Sequence, residues 1–395
     1  MASLSLAGGL PLGVVLSTIP AWLADHGVKA SDIGLLSIAG LPWSFKFLWS
    51  PILDRWSPPF GGRRRGWMII AQAALLAAVL GFGGLDPTAT TVVLIATAGI
   101  AFLSATQDIA MDGYAVELMR PEEQGPGNAM RTTFYRLGMI LASGVAIAAA
   151  GQLGWSPIFL GLALLFAMAI ALTATARDPA VPPRPAATLQ EAVVGPLVSF
   201  FSMMRSLGLA ALILLYKFGD NMTLSVLAPF FQQELHVSLT EIGTAQKTIG
   251  MFATIGGVLL GGALLPRLGL LRALWVYAAA QAGANALYAA TAWTGGYRPI
   301  MYGTIALESA CAGMGTAALL TLITRIVDKR YTATQFALLT SMIGLGRTLA
   351  GVPSGYLAQT VGYGPFFLLT ILAAVPSVLL LKHLGPSIAA TEAEG

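Results

Sequence analysis

Long apolar runs alternate with short polar breaks along the whole chain. Twelve runs separate, at about 3–24, 32–52, 66–84, 89–118, 124–151 and 155–175, then 207–234, 239–265, 270–293, 298–327, 332–360 and 363–384. A run of about 20 apolar residues, wound as a helix, spans the roughly 30 Å hydrocarbon layer of a bilayer. Backbone N–H and C=O groups find no water there, so each run must satisfy its own hydrogen bonds by forming a helix. The pattern therefore predicts twelve membrane-spanning helices. The first run, Leu4 to Trp22, has no basic residue before it and leads directly into further runs. It is expected to be a span rather than a cleaved leader.

The rhythm breaks once, at about 176–206, where Arg177-Asp178-Pro179, Pro182-Pro183-Arg184-Pro185 and Arg205 fall. Clustered prolines cannot continue a helix. This predicts a first six-helix bundle over 1–175, a cytoplasmic linker over 176–206, a second bundle over 207–385 and a short tail over 386–395. Within the linker, Leu189–Met204 has the character of an amphipathic helix lying on the membrane surface.

The halves echo each other. Pro20, Asp25, Val28 and Ser31-Asp32-Ile33-Gly34 recur 209 residues later as Pro229, Glu234, Val237 and Thr240-Glu241-Ile242-Gly243. Gly154-Trp155 recurs as Gly362-Tyr363, 208 residues on. The Ser/Thr-acid-Ile-Gly signature reads as an N-cap opening the second helix of each half. Matches in one order near one offset argue for duplicated six-helix units. This is the parallel-repeat architecture of major facilitator carriers, in which the substrate site lies between halves near the middle of the membrane.

Composition agrees. The chain is 56% hydrophobic and 10% charged, with a mean hydropathy of +0.75. Soluble domains carry about 25% charged residues, so a soluble enzyme is excluded. The net charge of +4 is no sign of nucleic-acid binding, because the bases cluster in loops. Fifteen bases fall on one side: Arg55, Arg63, Arg64, Arg65, Arg120, Arg131, Arg177, Arg184, Arg205, Arg267, Arg272, Arg325, Lys329, Arg330 and Lys382. Only Lys29 and Arg298 fall on the other. The positive-inside rule then places both termini in the cytoplasm. One cysteine, Cys311, and three histidines near span ends give neither a disulfide framework nor a metal site. No nucleophile–base set converges, so an enzyme is not expected.

Nine charges remain inside the runs: Lys46, Arg136, Lys217, Lys247 and Arg347, with Asp108, Asp112, Asp220 and Glu308. At roughly 3 kcal/mol each, exposing all nine to lipid would cost about 27 kcal/mol. They must face one another or an aqueous cavity. Asp108 and Asp112 are four apart, hence on one helix face. They and Glu308 are candidates for carrying a proton; the plainer reading is salt-bridged packing. Lys46, Arg136, Lys217, Lys247 and Arg347, with Gln107, Asp220, Asn221 and Gln246, are candidates for binding a polar, anionic solute. Lys217 and Asp220, three apart, read equally as a structural pair on one helix face. Trp43 and Trp49 flank Lys46, for stacking on a sugar ring or for packing. The turn Asp54-Arg55-Trp56-Ser57-Pro58-Pro59-Phe60-Gly61-Gly62-Arg63-Arg64-Arg65-Gly66 is echoed weakly at Pro266-Arg267-Leu268-Gly269. It suits a conformational latch built from Asp54, Arg55, Arg63, Arg64 and Arg65, or a topology signal.

Several of these stretches resemble AmpG-type muropeptide permeases, a branch of the major facilitator superfamily. The shared motifs are Lys46-Phe47-Leu48-Trp49-Ser50-Pro51 with Asp54-Arg55, Pro58-Pro59-Phe60, Gly62-Arg63-Arg64-Arg65-Gly66-Trp67, Gln107-Asp108-Ile109 with Asp112, and Tyr135-Arg136-Leu137-Gly138-Met139. Tyr216-Lys217, Gly219-Asp220, Lys247-Thr248, Gly313-Met314-Gly315-Thr316 and Ala333-Thr334-Gln335-Phe336-Ala337-Leu338-Leu339 continue the match. They follow family order over nearly the whole chain. Some members carry a lysine where this chain has Ala115. The resemblance implies inward, proton-driven transport of N-acetylglucosaminyl-1,6-anhydro-N-acetylmuramic acid, with or without peptide, across the bacterial inner membrane. That activity serves peptidoglycan recycling and feeds β-lactamase induction, hence antibiotic resistance. The expected partners are this cargo and the bilayer, with no nucleic acid and no cofactor beyond the proton gradient, and the carrier is expected to be a monomer. The alternative is a major facilitator carrier for another solute, such as a siderophore, an acyl-CoA-like anion or a drug.

Overall fold

A computed structural model describes residues 1–29, 33, 35–177, 188–202 and 206–393. Those residues are helical almost throughout and contain no strand. In chain order the helices are α1 (Ala2–Asp25), α2 (35–55), α3 (Gly62–Phe82), α4 (Thr90–Leu118), α5 (Pro121–Leu153), α6 (Trp155–Ala174) and α7 (Leu189–Ser202). They continue as α8 (Ser206–Glu234), α9 (Glu241–Leu268), α10 (Leu270–Trp293), α11 (Arg298–Ile326), α12 (Lys329–Val361) and α13 (Tyr363–Pro386). Among the described residues, 10 helices are long and apolar enough to cross a membrane, all but α2, α7 and α10. Helix α10 is continuous over 24 residues but carries Arg272, Gln281 and Asn285.

The second predicted span is not one helix. It divides into Leu35–Gly40, Leu41–Phe45, Lys46–Leu48 and Ser50–Arg55, two of them tight 3-10 turns. Pro42 and Pro51 each remove a backbone donor and crowd the preceding turn, which breaks the regular ladder. Ser31, Asp32 and Gly34 of the first repeat signature lie outside the described residues. So do Asp178-Pro179, Pro182-Pro183-Arg184-Pro185 and Arg205 of the linker. In the second copy of the signature the cap is Ser238, not Thr240, with Ser238 Oγ accepting the Glu241 N–H at 3.2 Å.

Gly154 and Gly362 explain why the Gly-aromatic pair repeats. Their φ angles are +78° and +82°, and each ends one span immediately before the next begins. Only glycine adopts that backbone without strain.

Residue contacts divide the chain into two compact units. The first comprises Met1–Met119, Met130–Phe200 and Val327–Ser341. One of its cores is built around Trp22, whose ring meets Phe82 and Phe159 edge-on at 5.8 and 5.7 Å between centroids. A second core joins Leu53, Met68, Ile109 and Tyr114 to Ala333 and Ala337 at the start of α12. Helices α1 and α5 touch at glycines: a β-carbon on Gly9 would overlap the Tyr135 carbonyl, and one on Gly138 the Leu6 carbonyl. Each of these helices contains a π turn, Val14–Thr18 and Leu141–Val145, bridged by a hydrogen bond from Thr18 Oγ1 to the Ala142 carbonyl.

The second unit comprises Arg120–Ala129, Phe201–Ile326 and Met342–Gly395. Phe230, Phe231, Tyr288, Phe366 and Phe367 form its aromatic core, with Phe230 and Phe367 at 4.9 Å. Helices α9 and α11 pack backbone to backbone. A β-carbon on Gly257 would strike the Ala310 carbonyl, and one on Gly313 the Thr254 carbonyl. Small residues permit such close approach in lipid, where dispersion rather than water exclusion holds helices together.

Candidate functional site

Helix α4 carries Asp108 and Asp112 on one face, as its spacing requires, yet their surroundings differ. Asp112 is doubly paired: Lys46 Nζ lies 3.1 Å from Oδ2 and Arg131 Nη2 lies 2.5 Å from Oδ1. Lys46 reaches it from the 3-10 turn Lys46–Leu48, a by-product of the broken α2. The sequence places Arg131 among the loop bases. It is instead buried inside α5, because the helix begins before Gln124 and Asp112, rather than water, answers its charge. Asp108 is paired less fully. Tyr135 O–H donates to Oδ2 at 3.3 Å, while the buried Oδ1 has no hydrogen-bond partner. The side-chain amide of Gln107 is also buried, with neither its nitrogen nor its oxygen bonded. Arg136 sits half-buried on α5. The tryptophans of α2 pack. Trp49 donates to Thr106 Oγ1 at 3.1 Å and leans on Phe102, while Trp43 lies against the Trp22 core.

In the second unit, Lys217 Nζ donates to the Ala312 carbonyl and to Thr316 Oγ1, both at 2.9 Å. It lies 3.9 Å from Asp220, so the pair expected from the three-residue spacing exists but is loose. Glu308, on α11, is buried; Ser309 Oγ is 3.5 Å from Oε2, and Oε1 has no hydrogen-bond partner. It lies within electrostatic reach of Asp220 and Lys217. Asn221 is buried beside Asp220. Gln246, Lys247 and Arg347 differ from all of these in being exposed. Gln246 and Lys247 occupy a π turn, Gln246–Gly250, a local widening frequent at functional sites. Among the described residues, neither Lys247 nor Arg347 has an ion pair or hydrogen bond.

A third cluster joins most of the arginine turn to the start of α12. Asp54, fully buried, accepts from Arg64 Nη2 at 2.5 Å, from Thr334 N–H at 2.8 Å and Thr334 Oγ1 at 2.6 Å. Arg64 bridges to Glu117, at 2.8 Å from Nε and 2.7 Å from Nη2. Arg63 joins at 2.9 Å, and Thr332 Oγ1 donates to Glu117 at 2.6 Å. Gly113 makes room: a β-carbon there would sit 2.9 Å from Arg64 Nε. Arg65 turns away to the carbonyls of Gly61 and Ala176. Arg55 ends the short helix Ser50–Arg55, half-buried. Sequence reasoning missed Glu117, Thr332 and Thr334 here, and Arg131 and Tyr135 in the first cluster. Thr334 lies within a motif already noted, Ala333-Thr334-Gln335, and Thr332 immediately precedes it, while Glu117 is an acid near the end of the run 89–118.

Membrane-length helices that bury clusters of charge, with no strand among the described residues, define a polytopic membrane protein. The Major Facilitator Superfamily model matches residues 1–351 and again 218–392. The anhydromuropeptide permease of Escherichia coli K12 is 38% identical over 380 residues, covering 96% of this chain and 77% of the relative. A putative transporter AmpG 4 of Rickettsia felis is 28% identical over 400 residues, covering 98% and 95%. The solved structure of the transporter FucP in its outward conformation superposes with a TM-score of 0.74 at 14% identity, covering 97% of each chain. The proton:xylose symporter XylE gives 0.72 at 14% identity, covering 98% of this chain and 94% of the other. These two show the fold alone. The chain belongs to the major facilitator superfamily, in its AmpG-type branch. It is a multi-pass membrane transporter rather than an enzyme.

Proposed function

We propose that this carrier imports anhydro-muropeptides, the disaccharide N-acetylglucosaminyl-1,6-anhydro-N-acetylmuramic acid with or without its peptide, for peptidoglycan recycling. It works in the bacterial inner membrane with both termini in the cytoplasm, as a monomer, by alternating access driven by the proton gradient. The observation that carries the cargo is the 38% identity to a permease named for it, sustained over 96% of the chain.

The side chains suit that cargo. Lys247 and Arg347 are charged, exposed and unengaged, each well inside a membrane-length helix. Facing lipid would cost each roughly 3 kcal/mol, so they belong against water and a ligand's carboxylates. Arg136, Gln246, Gln107 and Asn221 supply further donors and acceptors for sugar hydroxyls and amides. Lys46 and Lys217 are already engaged and serve mainly to hold their helices, with Asp220 loosely held 3.9 Å from Lys217. Asp108 and Glu308 are the proton carriers of this reading: each keeps one buried carboxylate oxygen without a hydrogen bond, and among the described residues neither has a salt bridge, whereas Asp220 has Lys217 at 3.9 Å. Asp112 is held by two cations and orients α4 rather than exchanging a proton. Moving one charge through 100 mV releases about 2.3 kcal/mol, which supports roughly fifty-fold accumulation per proton. The Asp54–Arg64–Glu117 cluster acts as a gate: it grips the start of α12 in one state and lets go in the other.

The test is uptake of labelled anhydro-muropeptide into proteoliposomes under an imposed pH gradient. Uptake that rises with the gradient and is competed by unlabelled fragments supports the reading. Competition by a siderophore, an acyl-CoA or a drug instead, without muropeptide uptake, overturns the cargo. Uptake indifferent to the gradient overturns the proton step.

A further inference from the structure

The short helix α7 has no part in the gate described above, yet it is fastened to the segment that the gate holds. Ser199 Oγ donates to Asp328 Oδ2 at 2.7 Å. Gln335, buried, uses both ends of its amide: Nε2 donates to the Pro196 carbonyl at 3.0 Å, and Oε1 accepts the Asp328 N–H at 2.7 Å. Tyr331 O–H donates to Glu191 at 3.3 Å, and its ring covers Gly195 so closely that a β-carbon there would lie 2.6 Å from the hydroxyl oxygen. Ala192 is wholly buried against the same ring. The start of α12 is therefore gripped by two different sets of side chains.

The other face of α7 is bare. Val193, Val194, Leu197 and Val198 are exposed, at a spacing that makes one helical stripe. Glu191 is the single charge in Leu189–Ser202, so the stripe is apolar without a basic border. At 14 residues the helix is about 21 Å long, too short to cross a membrane. The apolar medium beside a multi-pass protein is the bilayer, and an amphipathic helix of this kind lies along its interface.

We propose that α7 is a strap, seated in the lipid interface through Val193, Val194, Leu197 and Val198, that holds residues 327–341 on the gate cluster. Release of the α12 foot then requires the strap contacts to part as well, and the membrane surface contributes to gating. This rests on reading the Asp54 cluster as a gate.

The test uses the full chain in phosphatidylethanolamine–phosphatidylglycerol vesicles, with Cys311→Ser and a reporter thiol at the buried Ala337. The alkylation rate by a water-soluble maleimide reads release of the segment. Ser199→Ala with Gln335→Ala removes strap bonds and is expected to raise that rate about tenfold. Val194→Asn with Val198→Asn leaves those bonds in place and is expected to raise it too, by unseating the strap. A fluorophore at Val198→Cys is expected to be quenched by nitroxide lipids. Asp54→Asn is the reference for the gate itself, and circular dichroism confirms helicity in every variant. If Asp54→Asn speeds alkylation but neither strap pair does, the strap is overturned and the gate stands. If Asp54→Asn has no effect, the gate fails and the strap with it. An unquenched label at 198 overturns the lipid seat.

Discussion

Asp108 and Asp112 lie one helical turn apart, and neutralising them should have opposite consequences. Asp112→Asn leaves Lys46 and Arg131, both buried, around a neutral amide. Breaking a buried ion pair costs about 3–5 kcal/mol, because the surviving charge stays behind uncompensated. Two charges survive here, so the upper part of that range is expected. Lys46→Met is milder: the Arg131–Asp112 bridge at 2.5 Å remains, and losing one charge-assisted bond costs about 1.5–3 kcal/mol. Asp108→Asn removes a charge that no described cation touches, and the amide oxygen still accepts from Tyr135. Its effect on stability should stay within about 1 kcal/mol. Thermal unfolding of purified protein, all variants in one detergent, reads the order. Asp112→Asn should melt lowest, Lys46→Met between, and Asp108→Asn with the parent. In proteoliposomes Asp108→Asn should nevertheless lose accumulation driven by a pH gradient. The reasoning fails if Asp108→Asn is as destabilised as Asp112→Asn, or if Asp112→Asn melts like the parent.

Other outcomes follow from the same geometry. Gly257→Ala should destabilise by roughly 1–3 kcal/mol, since its methyl meets the Ala310 carbonyl. Its neighbour Gly256→Ala, with nothing within 4 Å, should be neutral or slightly stabilising, and a melting comparison of the two isolates the contact. Lys247→Gln and Arg347→Gln should each raise the KM for cargo about tenfold or more, as loss of one charge-assisted hydrogen bond does, without lowering the melting temperature. Unchanged KM in both would remove these residues from the binding site. Glu117→Gln should speed alkylation of a thiol at position 337, because Arg63, Arg64 and Thr332 all lose a charged partner.

Much of the fold was legible because the bilayer imposes a length and a polarity on each span. The run 270–293 coincides with Leu270–Trp293, and 89–118 with Thr90–Leu118. The second run misled, because its hydropathy hides the effect of Pro42 and Pro51 on the backbone. At the site, the sequence exposed which charges were anomalous but not which were satisfied. Arg131 follows a Gly-Pro-Gly-Asn stretch that reads as loop, and its partner Asp112 lies 19 residues earlier on another helix. Glu117 meets Thr332 across 215 residues. Such pairings are decided by tertiary packing, which hydropathy does not encode. The same limit hid the difference between Asp108 and Asp112, identical in type and face.

The exchange of segments between the two halves of the sequence bears on whether either half is complete alone. Residues 327–341, late in the chain, pack with the first unit, while Arg120–Ala129, early in the chain, belongs to the second and bonds through Asn128 to Thr324 at 3.0 Å. A gene severed at the proline-rich junction would yield a leading fragment whose Asp54 lacks the threonine that accompanies it here, and a trailing fragment with an empty berth beside Leu265.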